Sequence, residues 1–250
     1  MPPIKYKIPT AEIFWYNKHL IFRTTTNMKI FCHFKFTLTL LLISQLAFSY
    51  TPKAGDLFFQ DLNCGKLCNA ITNITYGYGN TQVSHVGMLV FVKGKPEIIE
   101  AIGKAVHLTP LHDFLMRSVD NDNKPRVMVG RLNIQYQPLV KKAISYALSW
   151  QGLPYNDDFS YKNDLKTFYC SQLVYDAFML SNNNKPIFAL NTMTFKQNGH
   201  TLPEWQSYFK EINKPIPEGD KGTNPGMMSR SKHLEIIYHY GQLRKIKISA

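Results

Sequence analysis

A cysteine at the start of a predicted helix is the residue of this chain best suited to chemistry. The stretch T-F-Y-C-S-Q-L-V-Y-D-A-F, residues 167–178, predicts a helix in which Cys170, Val174 and Phe178 share one apolar face. A cysteine on such a face is most often a small core residue. At a helix start, however, unpaired N–H groups and the positive end of the helix dipole favour a thiolate. We therefore predict that Cys170 is a nucleophile, with a core cysteine as the alternative.

A base and a carboxylate for this thiol lie on two predicted strands. His85 begins the apolar stretch S-H-V-G-M-L-V, and Glu100 lies in I-I-E-A-I beyond a turn at residues 93–96. If these strands pair as a hairpin, both side chains can lie on one face. The imidazole would then take the thiol proton and later protonate the leaving group, while the carboxylate holds its tautomer. The alternatives are a structural histidine and a surface ion pair, with His107 in place of Glu100 if Glu100 points away.

The elements that must position these residues can be predicted from hydrophobic periodicity and turn residues. Helices are expected at residues 138–150 and from Cys170 to the Asn182–Asn184 run, and Thr109 and Pro110 are typical of a third helix start. Residues 61–80 are expected to form loop and weak helix, and the proline-containing C-terminal third to be irregular. Strands are expected at residues 57–60, 83–92, 97–102, 106–108, 127–132 and 234–238. The pattern predicts one α+β domain over residues 50–250.

The N-terminal residues have the features of an export signal. Residues 28–49 combine lysines, an apolar run and the small-x-small sequence Ala47-Phe48-Ser49, which predicts a cleaved signal peptide. An uncleaved N-terminal anchor is the alternative. Residues 1–27 precede this complete signal and are interpreted as a non-native upstream extension or a disordered tail. The protein is therefore expected to be periplasmic or secreted, with membrane contact only through the signal segment.

Charge and cysteine content narrow the function classes. The formal net charge is +12, but the basic residues are dispersed and form no nucleic-acid motif, so we predict no nucleic-acid partner. Cys64 and Cys68 are close enough to form a disulfide, although two reduced thiols remain an alternative. The cysteines and histidines lack a four-ligand spacing, so neither a metal site nor a cofactor is predicted.

Five short motifs, in their order along the chain, resemble one family. G-D-L-F-F-Q, S-H-V-G-M, I-I-E-A, G-L-P-Y and Y-C-S-Q-L-V are similar to motifs of the NlpC-type papain-like cysteine peptidases and amidases. Here the G-D-L and histidine strands precede the cysteine helix, as in the circularly permuted, YiiX-like branch. The resemblance implies an antiparallel sheet packed against helices that include the cysteine helix. It also implies Cys170 as nucleophile, His85 as base, Glu100 as third polar residue and Tyr155 as a substrate-binding residue near the oxyanion. The chain departs from the family at Gln172, where members often have an acid.

The expected function is therefore an exported thiol hydrolase that cleaves an amide bond through an acyl-enzyme at Cys170. The resemblance implies a cell-wall peptide as substrate. One alternative is a lipid ester or thioester hydrolase, or an acyltransferase, on the same fold; a second is a non-catalytic binding module. A polar, charged cleft beside Cys170 would favour a peptide, and a long apolar one would favour a lipid.

Overall fold

The computed structural model describes residues 50–246. The predicted upstream extension and signal peptide, residues 1–27 and 28–49, lie outside the described residues. Within 50–246, none of the helices has both the length and the apolar character needed to cross a membrane.

An antiparallel sheet of six strands forms the centre of the fold, with the strand order β10-β5-β1-β2-β3-β4. Valine-rich and other apolar stretches form its central strands, as expected for a sheet covered on both faces. The strands are β1 (Leu57–Gln60), β2 (His85–Val92), β3 (Lys95–Ile102), β4 (Ala105–Pro110), β5 (Val127–Leu132) and β10 (Leu234–His239). Four two-residue strands form two small antiparallel pairs: β6 (Asn191–Thr192) with β9 (Lys221–Gly222), and β7 (Lys196–Gln197) with β8 (His200–Thr201).

Residues 50–246 also form six α-helices. They are α1 (Lys66–Ile74), α2 (Leu111–Met116), α3 (Val140–Ser149), α4 (Cys170–Ser181), α5 (Pro203–Glu211) and α6 (Pro225–Ser229). Short 3-10 segments occupy Tyr78–Asn80 and Ile134–Leu139. Helix α4 ends where the sequence predicts, because Asn183 and Asn184 adopt a left-handed backbone conformation that stops a helix.

Alternate residues of each strand enter two different apolar clusters, one on each face of the sheet. Leu57 and Phe59 belong to the main core, together with residues of α3 and α4. Phe58, between them, belongs to a smaller cluster with Phe114 of α2, and their ring centroids lie 6.0 Å apart. The cysteine helix is therefore held by the main core, as its apolar face predicts.

The structure corrects the sequence interpretation at the junction of β4 and α2. Thr109 and Pro110 were expected to begin a helix, but both belong to β4, which pairs with β3 through Pro110. Pro110 takes the N-cap position and no side chain caps α2. The C-terminal third was expected to be irregular, yet Pro203 and Pro225 each lie in the first turn of a helix, where a missing N–H costs nothing.

Candidate active site

Cys170 is the first residue of α4, directly after Tyr169 at the N-cap. It is the one free cysteine of residues 50–246, and 7% of its surface is exposed. Its neighbours along the helix, Leu173 and Val174, are buried in the main core. The first backbone N–H groups of a helix have no intrahelical acceptor, so they point away from α4 at the sulfur-bearing end. Cys170 is thus held in a fixed position, next to backbone N–H groups that have no acceptor within the helix.

His85 and Glu100 contact each other directly on one face of the hairpin, as the sequence predicts. His85 Nε2 and Glu100 Oε2 are 2.5 Å apart, and both side chains are buried. The second ring nitrogen is therefore left for the thiol of Cys170, which lines the same cleft as His85. The structure thus brings together three side chains from β2, β3 and α4.

Gly87 allows the histidine and the glutamate to meet. The register of β2 and β3, with Met88 opposite Ile99, continues to place Gly87 opposite Glu100. A Cβ at residue 87 would lie 2.3 Å from Ile98 Cγ2 and 3.2 Å from Glu100 Cβ. Since such contacts are too close, a larger residue would push the two strands or the carboxylate aside. The glycine in S-H-V-G is therefore part of the site.

Glu100 is held by more partners than the sequence suggested. Arg117 donates from its two terminal nitrogens to Oε1 at 2.9 Å and to Oε2 at 2.7 Å. Thr109 Oγ1 donates to Oε1 at 2.6 Å. Burial alone would raise the pKa of Glu100, but His85 and Arg117 outweigh it and lower the pKa to about 2. Glu100 is therefore a fixed carboxylate throughout the neutral pH range.

Arg117 is itself positioned by the residues of α2 and β1. Its Nε donates to Gln60 Oε1 at 2.7 Å, and Gln60 Nε2 donates to Phe114 O at 2.8 Å. The guanidinium carbon lies 4.3 Å from the centroid of the Phe114 ring. These contacts fix the planar donor group that faces Glu100. Arg117 and Gln60 carry no local motif, and only the long-range fold brings them to the site.

The charges around His85 favour its protonated form. Burial lowers the pKa of His85, but the hydrogen bonds and charges of Cys170 and Glu100 outweigh that effect, and the pKa is raised. A protonated imidazole next to a cysteine stabilises the thiolate. The arrangement is therefore suited to a thiolate–imidazolium pair supported by a carboxylate.

Tyr155 lies on the same cleft as Cys170 and His85. Burial, and then the charge of Cys170, raise the pKa of its phenol well above the usual value. The phenol is therefore a neutral O–H donor at physiological pH. The backbone of Tyr155 is fixed, since its N–H donates to Lys104 O at 2.9 Å. The structure thus places the predicted substrate-binding tyrosine on the cleft that Cys170 lines.

The cleft beside Cys170 is largely apolar. Its volume is about 490 Å³, and its charged lining residues besides His85 are Asp157 and Arg230. Its apolar walls come from α1, α5 and the segments around them, namely Leu67, Ile71, Ile74, Phe159, Met193, Phe195 and Trp205. Sequence reasoning missed the parts of this wall that come from α1 and α5, because it read α1 as weak helix and the α5 region as irregular.

A disulfide between Cys64 and Cys68 secures one side of this cleft. It joins the segment before α1 to the first turn of that helix, with a Cα–Cα distance of 5.2 Å. Both cysteines line the cleft with Leu67 and Ile71. The disulfide preferred in the sequence analysis is therefore present, and it holds a helix that shapes the cleft.

Gln172, the departure from the family pattern, lies behind the cysteine and away from the reacting groups. Its Nε2 donates to Lys162 O at 3.1 Å, and its Oε1 accepts from Asn156 Nδ2 at 3.3 Å. One turn further along α4, Asp176 Oδ1 accepts from Tyr161 Oη at 2.9 Å. These buried contacts tie the loop of residues 156–166 to the cysteine helix.

The remaining candidates do not join the site. His107 stands opposite Glu100 in the strand register but is exposed, and its Nδ1 lies 3.2 Å from Ala105 O of its own strand. Glu100 therefore needs no substitute. In the part of the chain that the structure describes, no three His, Cys, Asp or Glu side chains converge as metal ligands.

This chain has the permuted papain-like fold and belongs to the permuted papain-like amidase family YaeF/YiiX, C92, whose model matches residues 51–238. It is 33% identical over 186 residues to the uncharacterized protein YiiX of Escherichia coli K12, covering 74% of this chain and 85% of that protein. A crystal structure of YiiX from Escherichia coli O157:H7 is similar with a TM-score of 0.61 and 25% identity, over 77% of this chain and all of that one. The predicted fold and family are confirmed, and the family makes this protein a cysteine peptidase or amidase-type hydrolase.

YiiX from Escherichia coli O157:H7 is described as a metalloprotein. In this chain the oxygens of Glu100 already accept hydrogen bonds from His85, Arg117 and Thr109. A cationic guanidinium at this position repels a second cation. The residues present therefore do not fit a metal at this site, and we derive no step through one.

Proposed function

We propose that this protein hydrolyses the amide bond of an acylated molecule, with the acyl chain in the apolar cleft and Cys170 as nucleophile. The observation that carries the proposal is that Cys170 and His85 both line this cleft, while Glu100 contacts His85 from within the protein. The family supports amide chemistry. The lining of the cleft supports an apolar acyl group, since burying hydrocarbon there removes it from water.

The reaction follows from the positions of these groups. The Cys170 thiolate attacks the carbonyl carbon, a C–S bond forms, and the carbonyl oxygen becomes an oxyanion. Backbone N–H groups at the start of α4 and the Tyr155 phenol would stabilise that oxyanion. The His85 imidazolium then gives its proton to the amide nitrogen as the C–N bond breaks, and an amine leaves.

The second half regenerates the thiolate. Neutral His85 takes a proton from water, the hydroxide attacks the acyl carbon, and the C–S bond breaks to release a carboxylic acid. Glu100 stays ionised throughout and holds the imidazole in place through its Nε2, while Arg117 keeps that carboxylate charged. Glu100 and Arg117 therefore act through His85 and never touch the substrate.

Chain length of the acyl group provides the test. With N-acyl amines of increasing length, we expect kcat/KM to rise about fourfold per added CH₂ until the cleft is filled. Ile71→Thr, in the cleft wall, should flatten this dependence, whereas Ile134→Thr, at a residue that is 84% exposed, should keep it. Mass spectrometry should find the acyl group on the Cys170 peptide, and Cys170→Ala should show neither adduct nor turnover. A rate independent of chain length would contradict the acyl-binding cleft.

The cell-wall peptide predicted from the sequence is the second candidate, and the family description as an amidase favours it. A peptide with charged groups would meet only Asp157 and Arg230 as charged partners in the cleft besides His85. The protein is incubated separately with wall digests, with the N-acyl amines, and with acyl esters and thioesters of the same chain length. Identifying the products shows which of these substrates is cleaved. Turnover of wall peptides alone would reverse our order of preference. If the wild type and Cys170→Ala bind ligand equally and nothing is cleaved, the protein is a binding module.

We also propose that the protein is exported through the signal at residues 28–49. A disulfide at Cys64–Cys68 supports this, since such bonds persist in oxidising compartments. We expect the N-terminal sequence of the protein purified from the periplasm or medium to begin at Tyr50. Recovery of the chain in the cytoplasm with intact residues 28–49 would contradict export.

A further inference from the structure

A second cavity adjoins the cleft, with a volume of about 290 Å³. The two spaces share four lining residues, all between residues 223 and 230 at helix α6. The second cavity has an apolar floor in which Ile187, Phe188 and Met228 are buried. Neither the family nor the reaction proposed above assigns a ligand to it.

The ionisable residues that line this second cavity all have basic side chains. They are Arg230, Lys232 and His233, and no aspartate or glutamate is among its lining residues. Among residues 50–246, neither Arg230 nor Lys232 forms a salt bridge with a carboxylate. We call this space the basic cavity. Its positive potential is not neutralised by its own walls.

Arg230 is held in a defined position where the two spaces meet. Its guanidinium carbon lies 3.9 Å from the centroid of the Tyr76 ring, and its Nε donates to Tyr76 O at 3.1 Å. The two terminal nitrogens remain available as donors. A guanidinium fixed in this way loses little side-chain freedom when it binds an anion through parallel hydrogen bonds.

The wall of the basic cavity contacts both neighbours of the nucleophile. Thr223 lines this cavity and the cleft. Its Oγ1 donates to Ser171 Oγ at 2.7 Å, and its backbone N–H donates to the Tyr169 hydroxyl at 3.0 Å. Because Tyr169 and Ser171 flank Cys170 in the chain, these contacts join the wall shared by the two spaces to the start of the cysteine helix. The other half of a substrate whose acyl chain fills the cleft can reach this space.

We propose that the basic cavity binds an anionic group, a carboxylate or phosphate, on the amine portion of the substrate. This inference rests on the proposed function and narrows its substrate class to an acylated amine that carries a negative charge. The apolar floor accommodates the carbon skeleton between the amide and the anion. Arg230 and Lys232 supply charge-assisted hydrogen bonds to the anion.

Paired substrates test this assignment. An N-acyl amino acid and its neutral methylamide share one acyl chain, and we expect kcat/KM to be roughly tenfold or more higher for the acid, mainly through KM. Lys232→Gln, at a residue that lines only the basic cavity, should bring this ratio towards one, and Arg230→Gln should do the same. Lys141→Gln, an exposed lysine of α3, should preserve the ratio. Because each ratio is measured within one protein, a change in folding does not mimic the effect. An unchanged ratio in Lys232→Gln and Arg230→Gln would overturn the assignment.

Binding without turnover gives an independent test. Butyl phosphate is titrated into Cys170→Ala protein by calorimetry, with Lys232→Gln and Lys141→Gln each added to that background. We expect Lys232→Gln to weaken binding about tenfold and Lys141→Gln to leave it unchanged, with weaker binding at high salt. No binding, or binding that Lys232→Gln does not change, would overturn the assignment of the basic cavity as an anion site even if the enzyme hydrolyses N-acyl amines. Binding as expected without any turnover would instead refute the proposed hydrolysis alone.

Discussion

Glu100 and Asp176 are both carboxylic acids with no exposed surface, yet their surroundings shift their pKa values in opposite directions. Glu100 accepts hydrogen bonds from Arg117, His85 and Thr109, and its pKa is lowered to about 2. Asp176 accepts one from Tyr161, and its Oδ2 has no hydrogen-bond partner among the described residues. Burial raises the pKa of Asp176 to about 6, against smaller opposing effects of Tyr161 and Gln172.

The difference shows that burial alone does not decide the charge of these groups. Removal from water disfavours ionisation in both cases, and a cation reverses the result only at Glu100. Glu100 is therefore suited to support an imidazolium during catalysis. Asp176 instead ties Tyr161, in the loop after Tyr155, to the cysteine helix.

The largest expected effect comes from removing the cation beside Glu100. Arg117→Met leaves a buried carboxylate without its guanidinium, and we expect the free energy of unfolding to fall by about 3 kcal/mol at neutral pH. The pKa of Glu100 should rise towards that of an unpaired buried acid. Urea denaturation at several pH values measures the loss of stability.

An exposed lysine provides the control for Arg117→Met. Lys141→Met on α3 removes a charge without a carboxylate partner in the described part of the chain, and should change stability by less than about 0.5 kcal/mol. Equal effects of the two substitutions would show that Arg117 does not hold Glu100. In that case Glu100 would resemble Asp176 despite its neighbours.

Replacing Asp176 should stabilise the folded protein, because its ionisation is unfavourable there. The pKa of Asp176 is about 6 in the folded protein, against 3.8 for an aspartate in the unfolded chain. Between these two pH values the folded state therefore binds more protons than the unfolded state. Stability therefore falls as the pH rises from about 4 to 6, and the loss persists above 6. Asp176→Asn keeps an acceptor for Tyr161 and removes this ionisation. We expect it to raise the free energy of unfolding by about 2 kcal/mol near pH 8 and to change it little near pH 3.

The pH dependence distinguishes this mechanism from a packing effect. Asp176→Ala loses the acceptor as well as the charge, so it should stabilise less than Asp176→Asn at every pH. A gain that is the same near pH 3 and near pH 8 would show that ionisation of Asp176 is not its source.

Some of these residues could be predicted from the sequence and others could not. The positions of Cys170, His85 and Glu100 could be predicted because each depends on local periodicity and one hairpin. Arg117 lies 17 residues from Glu100, and no local pattern connects them. Thr109 was misread for a related reason: T-P before an apolar run is typical of a helix start, but pairing with β3 extends β4 through both residues. The α1 and α5 walls of the cleft were missed because these helices pack against each other and their neighbours, and no local pattern connects them with Cys170.

The smallest effect comes from removing a single donor to Glu100. Thr109→Val keeps the β-branched shape in β4 and deletes the hydroxyl that donates to Oε1. With Arg117 and His85 still in place, we expect a loss of about 1 kcal/mol of stability and a several-fold decrease in kcat/KM. Thr109→Ser retains the hydroxyl and should recover most of the activity, although it lacks the methyl group. If Thr109→Val keeps wild-type activity and Thr109→Ser loses it, the methyl group matters and the hydrogen bond does not, and the low pKa of Glu100 then depends on His85 and Arg117 alone.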